Sequence, residues 1–589
     1  MDKAPQRQIK GTRLKRRSES LSAITLTLTL TAITAGPASG QAILEGERFH
    51  PAVATQGMVA TSHTLATDVA LQVLKDGGNA IDAAVTAGFA LAVTQPRSGN
   101  IGGGGFMLIA KGDNSAPEAI DYREKAPAAA SETMFQDENG EVVKNRSRFT
   151  HLAAGVPGTV AGLAMALERH GTLSLKQALA PAIKLARDGF TVPQRFTDGL
   201  EQARPRLERW PATLSTFYKA DGSAYQPGDT FRQPALADTL QRIADQGVDG
   251  FYEGETAELI VAEMERHGGL ITESDLSTYE PVVRTPVHGT YHGYDVYSMS
   301  PPSSGGTHIV QILNILEGYP LRDSGHNTAD TIHWMAEAMK LAYADRSQYL
   351  GDTDYVDVPL AGLTSKSYAE ALREDITPER ARPASEIGPG EPAAYESPET
   401  THFSVVDKWG NAVSNTYTIN FSYGSGITVE GAGFLLNNEM DDFSAKPGVP
   451  NAYGLIGGEA NKVEPGKRML SSMSPTIVKK QGKNFLVTGS PGGSRIITTT
   501  LQVILNVIDH DMNIQTAVSA PRVHHQWLPD ELRIEQGISG DTVKLLESRG
   551  HTVVTNSAMG AIQSIMVGED ETLYGGADPR RSTSSAQGY

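Results

Sequence analysis

Pro398-Glu399-Thr400-Thr401-His402-Phe403-Ser404-Val405-Val406-Asp407 is the stretch on which the organisation of this chain turns. From Thr401 to Asp407 the side chains alternate in character with period two, the pattern of a strand with two different faces. The residues before it behave differently. Glu379 to Glu399 is dense in Pro, Glu, Ala and Ser, with Gly388-Pro389-Gly390 at its centre. Such a segment cannot bury enough apolar surface to offset the entropy of ordering it. A loose tether that ends on a strand-opening threonine suits a chain that cuts itself. Cleavage before Thr400 would place a hydroxyl nucleophile and a free α-amino base on one residue. The plain alternative is a linker entering an ordinary strand, and the rest of the chain decides between the two.

Working outward, Ala412 to Phe421 alternates in the same way after a turn at Lys408-Trp409-Gly410-Asn411, which predicts a hairpin with the Thr401 strand. Pro475–Lys480 and Asn484–Thr488 read as two more strands, and Ser494–Ile508 as a helix packed on the sheet. Towards the N-terminus, Leu65–Lys75 reads as a helix with Ala66, Val69, Ala70, Val73 and Leu74 on one face, ended by Gly77-Gly78. Asn79 caps a second helix, Ala80–Val93, which is apolar nearly all round and so is expected to be buried. Phe106–Ala110 is a strand. From about Val156 to Arg373 the pattern is mostly helical, with Ile332, Met335, Ala336, Met339, Ala342 and Tyr343 forming one apolar face. No internal repeat is evident. These pieces predict an α/β layered fold, a helix–sheet–sheet–helix (αββα) sandwich.

Composition narrows the chemistry. The 589 residues include no cysteine, which rules out a disulfide framework, a thiolate metal site and a cysteine nucleophile. The chain opens with Lys3, Arg7, Lys10, Arg13, Lys15, Arg16 and Arg17, then a mildly apolar stretch from Leu21 to Ala35, then small residues to Ala42. That order predicts a signal peptide over residues 1–40, cut before Gln41 or, alternatively, before Ile43. Thr25, Thr27, Thr29 and Thr31 thin the apolar stretch, so no stable membrane span is expected. Arg16-Arg17 raises the twin-arginine route, but Glu19 and Ser20 sit where apolar residues are wanted, which favours ordinary secretion, in a bacterium to the periplasm. Without residues 1–40 the chain keeps 44 basic and 66 acidic side chains, a net of −22. A surface that acidic argues against nucleic acid and anionic membrane as partners.

Several segments are suited to a site. An α-amino group titrates near a pKa of about 8, which would make the free end of Thr400 a useful base. Gly489-Ser490-Pro491-Gly492-Gly493-Ser494 joins a strand to a helix, and its backbone N–H groups can converge on an anion. It is either an oxyanion hole at Gly492 and Gly493 or a plain turn. Ser471-Ser472-Met473-Ser474-Pro475 offers hydroxyls to a carboxylate, or is a capped loop. The acids of Asn437-Asn438-Glu439-Met440-Asp441-Asp442 can hold an ammonium; calcium is the weaker alternative, because their spacing lacks an EF-hand pattern. Arg123 can clamp a carboxylate bidentately, or belong to a solvated charge run. The glycine run Gly99-Asn100-Ile101-Gly102-Gly103-Gly104-Gly105 precedes its strand, the reverse of a dinucleotide fingerprint, and no Walker motif exists. It reads as close backbone packing near a site. There is no His-Glu-x-x-His motif, and the adjacent pair His524-His525 reads as structural. No metal or other cofactor is expected.

Eight stretches, in order, resemble the γ-glutamyltranspeptidases, the glutathione hydrolase proenzymes of the N-terminal-nucleophile hydrolase superfamily. They are Gly77-Gly78-Asn79-Ala80-Ile81-Asp82-Ala83-Ala84, Gly99–Met107, Val156-Pro157-Gly158-Thr159, Thr400–Val405, Leu436–Phe443, Ser471–Thr476, Gly489–Gly493 and Asp578-Pro579-Arg580. The resemblance implies autocleavage between Glu399 and Thr400 into a large subunit, 41–399, and a small subunit, 400–589, which form a heterodimer. It implies that Thr400 then takes a γ-glutamyl group from glutathione or another γ-glutamyl amide and passes it to water, an amino acid or a dipeptide. Thr418 would support the hydroxyl, and Gly492 and Gly493 would stabilise the oxyanion. Arg123, Ser471 and Ser472 would hold the substrate α-carboxylate; Asn420, Glu439 and Asp442 would hold its α-ammonium. Glu439 lies where some bacterial members carry Gln. Pro447–Gly458 resembles the lid of members that have one, with Tyr453 over the glutamyl group. Related acylases, acting on cephalosporin side chains or poly-γ-glutamate, share the threonine; an inactive secreted γ-glutamyl-binding protein is the non-enzymatic alternative. Retention of Thr400, Thr418 and the Gly492-Gly493 pair favours the enzyme.

Overall fold

Consecutive residues of the central strands enter different hydrophobic cores, and that alternation builds the molecule. The computed structural model describes residues 49–388, 400–446 and 458–589. In strand Thr401–Asp407, Phe403 and Val405 pack into one core and Val406 into another. In strand Thr476–Lys480, Ile477 joins Val406 while Val478 faces a third core. Strand Lys483–Thr488 repeats the division with Val487 and Leu486. Three cores separated by two sheets make four layers, the αββα sandwich. The described residues form one compact unit.

Each sheet has seven strands, all paired antiparallel. One runs Ser585–Gly588, Gly57–Thr61, Thr401–Asp407, Ala412–Thr418, Gly104–Ala110, Glu118–Tyr122, Val282–Arg284. The other runs Ala52–Ala54, Leu573–Ala577, Gln563–Val567, Lys483–Thr488, Thr476–Lys480, Tyr294–Ser298, Val287–Tyr291. Strands from before and after residue 400 therefore interleave within both sheets. The predicted hairpin forms, with Thr401 opposite Tyr417. Its second strand stops at Thr418, short of Phe421, because Asn420 turns to φ +67°, a left-handed conformation that ends the ladder.

The first outer layer rests on helix Ala80–Thr94, all of whose residues are buried. Asn79 caps it as expected, in a reciprocal box with Asp82. Its first free N–H, on Ala80, donates to Asp407 Oδ2 at 2.8 Å, fixing the helix start to the hairpin turn. Helix Thr64–Lys75 lies beside it, but its buried face includes Leu71, while Val69 and Val73 are only partly covered. The opposite outer layer contains helices Gly305–Leu316, Ala329–Tyr349 and Arg495–Ile508. Helix Ala329–Tyr349 buries the expected apolar face, and also Glu337, Lys340, Asp345 and Arg346, so it is enclosed on more than one side.

The mostly helical reading of the middle needs one correction. Val287–Tyr291 and Tyr294–Ser298 form a hairpin that completes the second sheet. Its two-residue turn, His292-Gly293, takes positive φ at both positions (46° and 84°), the tight turn favoured between twisted strands. The Val, Tyr and Thr content around a His-Gly turn was the available signal.

Candidate active site

Thr400 immediately precedes a central strand, and side chains from five distant segments meet around it. One small pocket is lined by Arg123, Thr400, Thr418, Asn420, Glu439, Asp442, Ser471, Ser472, Met473 and Ile496. Eight of these are the residues expected from sequence; Met473 and Ile496 are additions. Thr400 itself is nearly enclosed, with 3% of its surface exposed.

The glycine run makes this convergence possible. A Cβ on Gly103 would stand 2.0 Å from the Thr418 carbonyl oxygen, and one on Gly102 would stand 2.3 Å from that of Leu435. Asn100 fills the space between: its Nδ2 donates to Thr418 O at 2.9 Å, and its Oδ1 accepts from Gly103 N at 2.9 Å and Thr159 Oγ1 at 2.8 Å. The run is close backbone packing behind Thr418, as expected. Asn420 N donates to Thr418 Oγ1 at 2.8 Å, so the turn after the strand orients that hydroxyl. Asn437 ties the acidic turn to the same region, donating to Gly102 O at 2.9 Å and Gly155 O at 2.7 Å while accepting from Glu439 N at 3.1 Å.

Arg123 lies fully buried between the acids. Its Nη1 donates to Glu439 Oε2 at 2.7 Å and its Nη2 to Asp442 Oδ2 at 2.5 Å. Nε donates to Met469 O and Nη2 to Leu470 O, both at 3.2 Å. The guanidinium fork is thus directed at the pocket acids rather than left open for a carboxylate. A third acid, Glu124, lies 3.5 Å from Nη1 with neither oxygen hydrogen-bonded among the described residues. Three carboxyls face one cation. Burial pushes both Glu124 and Glu439 up to about 8, against the pull of Arg123. Burial and the neighbouring Glu439 charge raise Asp442 well above the usual carboxylate range. Arg123 is held more firmly protonated than usual: burial opposes its charge, and Glu439, Asp442 and Glu124 outweigh that. Glu439 Oε1 and Asp442 Oδ1 are buried and have no hydrogen-bond partner among the described residues. Unpaired buried acceptors are costly, and a bound cation with N–H donors would satisfy them.

Ser471 and Ser472 reach the pocket from a segment strapped to residues 302–304. Ser471 N donates to Pro302 O at 2.8 Å, and Ser304 N donates to Ser471 O at 2.7 Å. Buried Arg346 donates to Ser304 Oγ at 2.8 Å and Ser472 Oγ at 3.4 Å, a support that no sequence spacing revealed. Gly492 and Gly493 do not line the pocket directly. They take φ +139° and +61°, conformations open mainly to glycine, and lead into the helix whose first turn carries Ile496. Neither N–H donates to another backbone group among the described residues, which leaves both available to an anion. Just before this turn, a Cβ on Gly489 would stand 2.5 Å from the His402 ring. The His402 side chain, on strand Thr401–Asp407, is fully buried and bonded to Thr416 Oγ1 at 2.8 Å, and burial lowers it to about 3.

The γ-glutamyltranspeptidase family model matches residues 66–588. The chain belongs to this family. It is 55% identical over 550 residues to the glutathione hydrolase proenzyme of Escherichia coli strain K12, covering 93% of this chain and 94% of that protein. Its fold matches the crystal structure of a cephalosporin acylase from Bacillus halodurans with TM-score 0.82 at 29% identity, over 93% of this chain and 98% of that one. The Helicobacter pylori γ-glutamyltranspeptidase structure matches at 46% identity with TM-score 0.55, over 59% of this chain and 97% of that one.

Glu399 and the lid residue Tyr453 lie outside the described residues. The His524-His525 pair is away from the pocket: His524 bonds Thr498 Oγ1 at 2.9 Å, and His525 Nε2 is 3.2 Å from Asp530, structural contacts both.

Proposed function

We propose that Thr400 is both the cleavage point and the nucleophile of this γ-glutamyltransferase and glutathione hydrolase. The observation that carries the assignment is one pocket that joins Thr400 to a buried guanidinium and two acids with unsatisfied oxygens. A free amino-acid end brings one ammonium and one carboxylate. The ammonium fits Glu439 Oε1, Asp442 Oδ1 and the Asn420 amide. The carboxylate fits the Ser471 and Ser472 hydroxyls, with Arg123 supplying its charge rather than an open fork, because its N–H groups are engaged with Glu439, Asp442 and the Met469 and Leu470 carbonyls. A γ-glutamyl amide carries that end three carbons from its reacting carbonyl.

In maturation, the Thr400 hydroxyl attacks the carbonyl of residue 399; the peptide nitrogen leaves as the new α-amino group, and water hydrolyses the resulting ester. In turnover, the α-amino group takes the hydroxyl proton as Thr400 attacks the γ-carbonyl, then passes it to the departing amine. The Gly492 and Gly493 N–H groups stabilise the tetrahedral oxyanion. Water or the amine of an amino acid or dipeptide releases the γ-glutamyl group. The products of maturation, 41–399 and 400–589, stay together as a heterodimer. The Helicobacter pylori enzyme's solved chain spans about three fifths of this one, a share that supports a separate large subunit. The N-terminal segment directs the precursor out of the cytoplasm, and among the described residues no helix is long and apolar enough to cross a membrane.

The test is Thr400→Ala. Wild-type protein resolves into two bands on a denaturing gel, the smaller beginning at Thr400 by mass spectrometry, and releases glutamate from glutathione. The variant stays one inactive chain. Cleavage before residue 400 in the variant would refute the intramolecular mechanism. The acylase fold match supports a second reading, and the same pocket discriminates against it. An acyl donor without an α-ammonium leaves Glu439 Oε1 and Asp442 Oδ1 without a donor and the three carboxyls with Arg123 as their shared cation, so γ-glutamyl donors should have the higher kcat/KM.

A further inference from the structure

We propose that His151, Glu263 and His267 form a binding site for a divalent transition-metal ion, separate from the reaction pocket. Glu263 and His267 lie one turn apart on helix Gly254–His267, and His151 opens the short turn His151–Ala153 packed against it. One carboxylate oxygen is shared. Glu263 Oε1 lies 2.9 Å from His151 Nε2 and 3.6 Å from His267 Nε2. All three donor atoms lie within 4.8 Å of one another. Around an ion with bonds of about 2.0–2.1 Å, tetrahedral donors stand roughly 3.3 Å apart, close to these spacings.

A hydrogen-bonded pair would explain His151 and Glu263 alone. It does not explain His267, whose Nε2 lies 3.6 Å from the same oxygen, too far for a hydrogen bond. Its ring stacks on that of His151 at 4.6 Å and 18° from parallel, so ligation requires the exposed His267 ring to rotate until both in-plane lone pairs meet the ion. Two imidazoles and a carboxylate suit zinc, copper or nickel rather than calcium or magnesium. The nearest competing cation, Arg266, lies 3.8 Å from Glu263 and is engaged at 2.5 Å with Glu430. His151 and Glu263 are buried, while His267 is 41% exposed, which gives the ion a way in and leaves a coordination position towards solvent. The ion would clamp the helix to a segment that supports the acidic turn: Ser147 and Arg148 hold Asp441 at 2.5 and 3.1 Å. A second cluster, His333, Glu337 and His551, already contains its cation, because Lys340 Nζ lies 2.7 Å from Glu337.

The site carries its own reporter. Trp210 stands edge-on to both rings, at 5.0 Å from His151 and 5.7 Å from His267, and is one of four tryptophans. The experiment uses tag-free, fully processed protein stripped with chelator. Zinc chloride titrated calorimetrically should bind at one equivalent, and zinc should raise Tm. Copper(II) should quench part of the tryptophan emission saturably, and zinc should compete with it. His267→Ala, at an exposed position, and the near-isosteric Glu263→Gln should each weaken zinc binding at least about tenfold and abolish the Tm rise. Trp210→Phe should keep zinc binding and lose the quenched component. Undiminished binding in His267→Ala, loss of binding in His551→Ala instead, or no saturable binding by the wild type would each overturn the proposal.

Discussion

Arg123 and its three carboxyls decide how the pocket responds to pH and to substitution. Glu124 and Glu439 each have a folded-state pKa raised by burial to about 8. Their contribution to stability is full below the ordinary carboxylate range and is lost as pH rises through about 8. The protein without ligand should therefore melt at a lower temperature at pH 8.5 than at pH 6, and a bound γ-glutamyl analogue should narrow the gap. On the proposed placement, an ammonium between Glu439 Oε1 and Asp442 Oδ1 favours the ionised carboxyls, so substrate binding should expel a proton. KM for a γ-glutamyl donor should fall as pH rises from 6 to 8, by at most about tenfold per unit for one linked proton. Glu439→Gln should flatten that profile; an equally steep profile in the variant would remove Glu439 from the linkage. Arg123→Lys tests the fork. A lysine ammonium cannot serve Glu439, Asp442 and the carbonyls of Met469 and Leu470 at once. KM should rise about tenfold or more, with cleavage before Thr400 spared, because maturation binds no substrate.

Among the elements, the contact between the glycine run and the hairpin end governs whether Thr418 and Asn420 are in place. Gly103 donates to Asn100, and its carbonyl accepts from Gly158 N and Thr159 N at the start of helix Thr159–His170. A methyl group at Gly103 meets the Thr418 carbonyl oxygen, a backbone atom, at 2.0 Å, and also the side chains of Asn100 and Ile419 at 2.8 Å each. Gly103→Ala should cost about 3 kcal/mol or more and impair self-cleavage. Denaturant midpoints and the fraction of uncut chain on a gel give the readout. Gly77→Ala is the control: its Cβ would meet nothing within 4 Å, so only the strain of φ +96° would register.

Across the whole molecule, the interleaved sheets bind the two halves of a cut chain more firmly than any surface contact. Strand Thr401–Asp407 pairs with Gly57–Thr61, Ala412–Thr418 pairs with Gly104–Ala110, and the final strand, Ser585–Gly588, pairs with Gly57–Thr61 again. Separating residues before 400 from those after it breaks ladders in both sheets and opens all three cores. The processed protein should elute as one species containing both pieces and unfold in a single transition, with the pieces parting only in denaturant. Elution of free large or small piece in native buffer would contradict this topology.

Local pattern was enough to read the hairpin at Thr401, the capped and wholly apolar helix Ala80–Thr94 and the strand-to-helix turn at Gly492-Gly493. Periodicity and capping are properties of neighbours in the chain, and tertiary packing did not override them here. The sandwich followed because those strands carry different side chains on each face. Naming the pocket residues depended on motif resemblance, since nothing in their spacing places Arg123 beside Glu439. Tertiary structure alone decided the charge arrangement. It set the Arg123 fork against Glu439 and Asp442, left Glu124 unsatisfied behind it, and brought Arg346 under Ser472. It also placed His267 against His151. The reason is physical: a pKa, an unsatisfied oxygen or a shared ligand atom depends on burial and distance between residues far apart in the chain. Those quantities come into existence only when the layers close.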